Sequence, residues 1–89
     1  MGKDSNISDL LRTGESETIE FKTSFGRETI ETLVAFANTG GGVVLVGVRD
    51  NAEVCGVSVG KETLNQWLEQ VKSSTSPAII PDIEKHDMS

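Results

Sequence analysis

The run VVLVGV at positions 43–48 is the feature that most constrains the fold, because three glycines, Gly40-Gly41-Gly42, stand directly before it. A continuous β-branched run of this length predicts a strand that is buried on both faces. The preceding segment, 27–38, carries apolar residues at i, i+3, i+4 and i+7, which predicts a helix that the glycines end. This stripe consists of Ile30, Leu33, Val34 and Ala37, with Phe36 extending it.

Periodicity predicts the remaining elements around this helix and strand. Thr18–Lys22 alternates, with Ile19 and Phe21 on one side, as in a half-buried strand. The segment 61–74 repeats the helical stripe, in the residues Leu64, Trp67, Leu68 and Val71. Helices are thus predicted at 6–14, 27–38 and 61–74, and strands at 18–22, 43–48, 53–59 and 78–88. The order α-β-α-β-β-α-β predicts an α+β fold, a mixed β-sheet with helices packed on it.

Length and composition narrow the class of protein. A chain of 89 residues holds one domain. It contains no apolar run near the roughly 20 residues that a membrane span needs, and its first residues do not have the pattern of a signal peptide. One cysteine and one histidine exclude an internal disulfide and a structural zinc site, so we expect a cytoplasmic protein. The pattern of the last strand stops soon after it begins, and we therefore expect residues 1–89 to be the N-terminal part of a longer protein.

The charge balance bears on partners. Fourteen acidic residues against eight basic ones give a net charge of −6, which argues against a generic polyanion binder but leaves local contacts open. The basic residues nearest the predicted turns are Lys22, Arg27 and Arg49. They are candidates for phosphate contacts, although the pattern alone favours ordinary surface charge. The backbone N–H groups of Gly40–Gly42 could likewise reach a phosphate, while a helix C-cap and a tight turn are the favoured interpretation.

Carboxylates gather around the first predicted strand. Glu15, Glu17 and Glu20 lie just before it and within it, and Asp50 follows the strand at 43–48. If the two strands are neighbours, Glu20 and Asp50 converge, and Mg²⁺ is usually held by one or two such carboxylates plus phosphate. From spacing alone, solvated surface charge or an ion pair with Lys22 is favoured.

Two other motifs carry little weight. Gly56–Glu62 differs from a phosphate-binding P-loop, because three residues instead of four separate its glycines and Glu62 stands where Ser or Thr is required. Cys55 is predicted to be a small core residue, and His86 is predicted to be solvated.

Three blocks of sequence together resemble the Schlafen AlbA-like domain. They are Gly14-Glu15-Ser16 with Ile19–Lys22, then Ala35–Gly42, then Val46–Asp50. The family pattern is roughly G-E-x-x-x-x-E-F-K, A-F-A-N-T-x-G-G and a hydrophobic strand that ends G-V-x-D. The blocks occur here in this order with compatible spacing, and the resemblance covers nearly the whole chain.

The resemblance implies an AlbA-like fold and a nucleic-acid-binding module. The family is widespread in bacteria and archaea, usually as the N-terminal domain of longer proteins that are described as transcriptional regulators. DNA or RNA is then the expected partner. Lys22, Arg27 and Arg49 would contact phosphates, and Gly40, Gly41 and Gly42 would supply backbone donors.

Catalysis and assembly are the alternatives. In animal Schlafen proteins a related region cleaves RNA with two glutamates and an aspartate, and the matching positions here are Glu15, Glu20 and Asp50. These residues would hold Mg²⁺ or Mn²⁺ in a metal-dependent nuclease. The animal enzymes use two copies of the unit and basic surfaces, whereas this chain has one copy and is acidic, so binding is favoured over catalysis. A third hypothesis is an oligomerisation domain, in which the last strand pairs between chains of a homo-oligomer.

Overall fold

The computed structural model describes residues 7–87 and shows an α+β chain. The elements, in chain order, are α1 (Ile7–Thr13), β1 (Ile19–Lys22), α2 (Arg27–Ala37), β2 (Val43–Val46) and α3 (Thr63–Ser74). The predicted fold class is confirmed, and these five elements occur in the predicted order. The chain divides into two compact units, with the boundary after Val57. None of the helices in the range 7–87 is both long enough and apolar enough to cross a membrane.

The sheet of the first unit consists of β1 and β2 in parallel, with Ile19 opposite Val43 and Lys22 opposite Val46. Parallel neighbours need a crossover connection, and α2 provides it. The core cluster takes two alternate residues of β1, one residue of β2 and one residue beyond β2, namely Ile19, Phe21, Leu45 and Val48. The period of two predicted for β1 is therefore confirmed. The predicted shared face of α1 is confirmed as well, because Ile7, Leu10 and Leu11 pack against this cluster.

Burial of the second strand differs from the prediction. Within β2 only Leu45 is buried, and Val43 is 39% exposed, so the strand is not covered on both faces. Strand geometry ends at Val46 because Gly47 adopts a positive φ of 95°, a backbone conformation that favours glycine. Val48 returns to the core beyond this turn.

The predicted strand at 53–59 is reduced to a single antiparallel bridge between Val48 and Val54. The N–H groups of Cys55 and Gly56 both donate to the Gly47 carbonyl, at 2.8 and 2.9 Å. Gly56 then takes a positive φ of 76°, which ends the pairing after the first residues of the hairpin. Cys55 is exposed, so the prediction that it is a core residue is wrong.

The predicted strand at 78–88 is also not formed in its described part, residues 78–87, and Met88 lies outside the described residues. Pro81 lacks the N–H group that a strand ladder requires, which the periodic pattern does not register. Thr75 fixes the start of this segment instead. Its hydroxyl donates to the Val71 carbonyl at 2.9 Å and accepts the Ile79 N–H at 2.8 Å.

Helix α2 buries a face somewhat different from the predicted stripe. Its buried residues are Thr29, Ile30 and Phe36, whereas Ala37 is exposed. Burial of Thr29 is possible because its hydroxyl accepts the Gly26 N–H and donates to the Ser24 carbonyl, each at 3.2 Å, so that no polar atom is left unpaired.

The C-terminal end of α2 explains two of the three consecutive glycines. Asn38 is the C-cap, as predicted, and the N–H groups of Thr39 and Gly41 donate to the Phe36 carbonyl at 3.0 and 2.7 Å. Gly42 then passes across the Phe36 ring so closely that a Cβ at this position would lie 2.6 Å from the ring. The absence of a side chain at position 42 is therefore a packing requirement.

In the second unit, α3 buries Val71 fully and half-buries the other three members of the predicted stripe, Leu64, Trp67 and Leu68. The helix begins at Thr63 and not at the predicted Lys61. The Thr63 hydroxyl accepts the Gly60 N–H at 2.7 Å, and this bond closes the turn before the helix.

We expect Gly42→Ala to destabilise the protein by about 1–3 kcal/mol, because the new methyl group overlaps the Phe36 ring. Urea unfolding followed by circular dichroism measures the change. Gly60→Ala is the matched control, since a Cβ there would meet only the Thr63 hydroxyl at an ordinary 3.5 Å. A double variant with Gly42→Ala and Phe36→Leu should recover part of the stability that Gly42→Ala loses. Equal stability of Gly42→Ala and wild type would contradict the packing argument.

Candidate nucleic-acid interface

The parallel pairing brings the carboxyl ends of β1 and β2 to one side of the sheet, here called the carboxyl edge and defined by Lys22, Arg27, Arg49 and Asp50. The N–H groups of Gly47 and Val48 both donate to the Lys22 carbonyl, at 2.6 and 3.0 Å, so Lys22 lies beside the segment that continues into Arg49. Arg27 is the first residue of α2, and the next residue, Glu28, reaches the Lys22 ammonium. Lys22 and the backbone that leads to Arg49 are therefore neighbours at the end of β1, and Arg27 adjoins the residue that pairs with Lys22.

The three cations differ in their partners. Lys22 Nζ lies 3.6 Å from Glu28 Oε1, and the Lys22 side chain is only 22% exposed. Arg49 is exposed and lies 3.9 Å from Glu53 Oε1. Arg27 is exposed and forms no ion pair with any residue in the described range. An exposed pair such as Arg49–Glu53 contributes about 0–1 kcal/mol, so its arginine can exchange the carboxylate for another anion.

The predicted glycine donors lie at the other end of the sheet. Val43, the residue after Gly42, donates its N–H to the Thr18 carbonyl at 2.8 Å, at the start of β1. Four residues of strand, roughly 10 Å, separate this end from the carboxyl edge. The Gly41 N–H is occupied by Phe36, and the C-terminal end of a helix disfavours anions. Gly40, Gly41 and Gly42 thus form the helix cap and turn that was the favoured interpretation.

The carboxyl group of Glu20 interacts with those of Glu15 and Asp50 and with the Lys22 ammonium group. Glu15 Oε2 accepts the Phe21 N–H at 3.1 Å, which holds Glu15 against β1. The pKa of Glu20 is raised above its ordinary value of 4.5, first by partial burial, then by a hydrogen bond to Glu15 and by the charge of Glu15. Asp50 adds to the rise, while Lys22 opposes it.

Within residues 7–87 no group of three or more His, Cys, Asp or Glu side chains is placed to hold a metal ion. Glu15 already uses one oxygen on the Phe21 N–H, at 3.1 Å. We derive no metal-dependent step from these acids.

Sequence reasoning missed the two carboxylates that pair with the cations. Glu53 stands four residues after Arg49, a spacing that would have suggested the pair had the turn been known. Glu28 had an obvious role in the first turn of α2, and its contact with Lys22 depends on the turn between β1 and α2. His86 is partly exposed, as predicted, and its Nε2 lies 3.1 Å from Glu84 Oε1.

The fold and this edge define a small α+β module in which cations and anions are interleaved at the end of a parallel strand pair. The chain belongs to the family described as Schlafen, AlbA_2, whose profile matches residues 15–89. The resemblance seen in the three sequence blocks is thereby confirmed. No curated protein and no solved structure matches the chain significantly.

The raised pKa of Glu20 predicts a particular dependence of stability on pH. A carboxyl group with a raised pKa in the folded state stabilises the fold fully below its unfolded value and loses this contribution as the pH rises through the folded value. We therefore expect Glu20→Gln, which stays neutral, to be more stable than wild type at pH 7, with the difference shrinking towards pH 4. Urea unfolding at several pH values measures it.

The control for this prediction is Glu17→Gln, an exposed glutamate two residues after Glu15. We expect its effect on the free energy of unfolding to stay within about 0.5 kcal/mol at every pH, as is usual for surface substitutions. A Glu20→Gln variant whose difference from wild type does not change with pH would contradict the raised pKa of Glu20.

Proposed function

We propose that this protein is a nucleic-acid-binding module whose carboxyl edge contacts phosphates through Lys22, Arg27 and Arg49. The observation that carries the proposal is the pair of hydrogen bonds from Gly47 and Val48 to the Lys22 carbonyl, because they make neighbours of cations that are far apart in sequence. Membership in the Schlafen AlbA_2 family supports a nucleic-acid-associated role. The glycines at 40–42 are not part of the proposed contact surface.

The net charge of −6 sets the expected strength of binding. Long-range attraction to a polyanion is absent, so affinity must come from a few close contacts. For three phosphate contacts, counterion release gives a slope of about −2.7 in a plot of log K against log salt, or roughly a 40-fold loss between 50 and 200 mM. A strongly basic protein would show a much steeper slope.

Neutralisation of the three cations tests the proposed surface. We expect K22Q/R27Q/R49Q to weaken binding of a labelled oligonucleotide of about 20 nucleotides by at least tenfold at about 50 mM salt, and to flatten the salt slope. Fluorescence anisotropy gives the dissociation constants, and thermal melts confirm folding.

The charge-matched control is R12Q/K61Q/K85Q. Arg12 pairs with Asp9 on α1, and Lys61 and Lys85 are exposed in the second unit. We expect this variant to bind within about threefold of wild type. Equal losses in both triple variants would contradict the proposed surface, and no binding by wild type at about 50 mM salt would contradict the proposed function.

As a finer role we propose DNA binding within a transcriptional regulator that acts in the cytoplasm. The family resemblance supports the regulator role, and the single cysteine supports the location. Competition between duplex DNA and RNA of matched sequence tests the role, because a regulator of transcription should retain the DNA. Preferential retention of RNA would contradict it.

Cleavage is the alternative with less support, because within residues 7–87 no group of three or more His, Cys, Asp or Glu side chains is placed to hold a metal ion. We expect no cleavage of DNA or RNA with Mg²⁺ or Mn²⁺ on a denaturing gel. Metal-dependent cleavage by wild type that is lost in both Glu20→Gln and Asp50→Asn would establish the nuclease and overturn this expectation.

Homo-oligomer formation is a further proposal, compatible with binding. The exposure of Val43 and Val54 beside the short sheet supports it. Sedimentation at high protein concentration tests it, and a strict monomer would contradict it.

A further inference from the structure

We propose that Glu28 and Glu53 are internal competitors of phosphate, which occupy Lys22 and Arg49 until a nucleic acid displaces them. This inference rests on the proposed function, whose surface it shares. The carboxyl edge holds three cations, and two of them already carry a carboxylate within 4 Å. A ligand phosphate must therefore replace an existing partner at Lys22 and Arg49. At Arg27 it meets a guanidinium group that forms no ion pair with any described residue.

The two partners of the Lys22–Glu28 pair differ in how freely their side chains can move. The Lys22 side chain is 22% exposed, while that of Glu28 is 82% exposed. Glu28 lies in the first turn of α2. A rotation of the Glu28 side chain would uncover Lys22 without any change in the backbone, because the bonds that Gly47 and Val48 donate to the Lys22 carbonyl do not involve its side chain.

The Arg49–Glu53 pair is prearranged by a turn. The Arg49 N–H donates to the Glu53 carbonyl at 2.9 Å, and the Glu53 N–H donates to Asn51 Oδ1 at 3.0 Å. These bonds keep the two residues together whether or not their side chains are paired. Both side chains are more than half exposed, so the carboxylate can swing into solvent when a phosphate takes its place.

The consequence is a threshold for binding. A single phosphate or a small anion gains little by replacing one carboxylate with another anion at Lys22 or Arg49. A chain of closely spaced phosphates displaces both carboxylates and engages Arg27 in the same event, which favours a polynucleotide over a mononucleotide.

The test is the double variant E28Q/E53Q in the 89-residue chain. We expect it to bind a labelled oligonucleotide of about 20 nucleotides roughly 3- to 10-fold more tightly than wild type at about 50 mM salt, given the strength of exposed ion pairs. The difference should shrink as salt rises, since screening weakens the internal pairs. Thermal melts check that the variant folds.

The control with the same change in net charge is E17Q/D82N. Both residues are exposed, and neither forms an ion pair within the described part of the chain. Tighter binding by E28Q/E53Q than by this control supports internal competition. Equal gains in the two variants would overturn it and leave the proposed function standing. A wild type and an E28Q/E53Q variant that both fail to bind would overturn the proposed function itself.

Discussion

The parallel pairing of β1 with β2 is the constraint on which the rest of the first unit depends. It requires a crossover, which α2 supplies, and it places Phe21 and Leu45 side by side in the core. Its last hydrogen bonds, from Gly47 and Val48 to the Lys22 carbonyl, fix where β2 leaves the sheet. Lys22 and the segment that leads to Arg49 take their positions from these bonds, so the stability of a four-residue strand pair and the geometry of this part of the surface are linked.

The elements that sequence could predict are those whose pattern is local. The alternation of Ile19 and Phe21 and the stripe that ends in Val71 both appear in the structure as expected. The failures lie where the backbone overrides the side-chain pattern. Gly47 and Gly56 take positive φ values that stop strands which VVLVGV and EVCGVSV otherwise favour. Exposure of Cys55 and Val43 depends on how many strands cover the sheet, which a periodic pattern does not contain.

The candidate site, too, could be predicted from the sequence only in part. Lys22, Arg27 and Arg49 were identifiable as basic residues near turns, and Glu20 and Asp50 as acids that converge if the strands are neighbours. The ion pairs of Lys22 with Glu28 and of Arg49 with Glu53 were not identifiable, because each depends on the conformation of a turn. The structure also separates the predicted phosphate contacts, since Gly40–Gly42 lie at the opposite end of the strands from Lys22. Net charge is consequently a poor guide here: the chain is acidic as a whole, yet cations and anions are interleaved at one edge.

The hydrogen bond between the Phe21 N–H and Glu15 has a consequence for the growth of the sheet. This N–H faces the outer side of β1, where Ile19 is already bonded to Ser16. An added strand would need both positions, and a carboxylate in the way also repels an incoming carbonyl oxygen. Glu15 therefore blocks the addition of a strand beside β1. A further strand, from this chain or another, would pair with β2 instead.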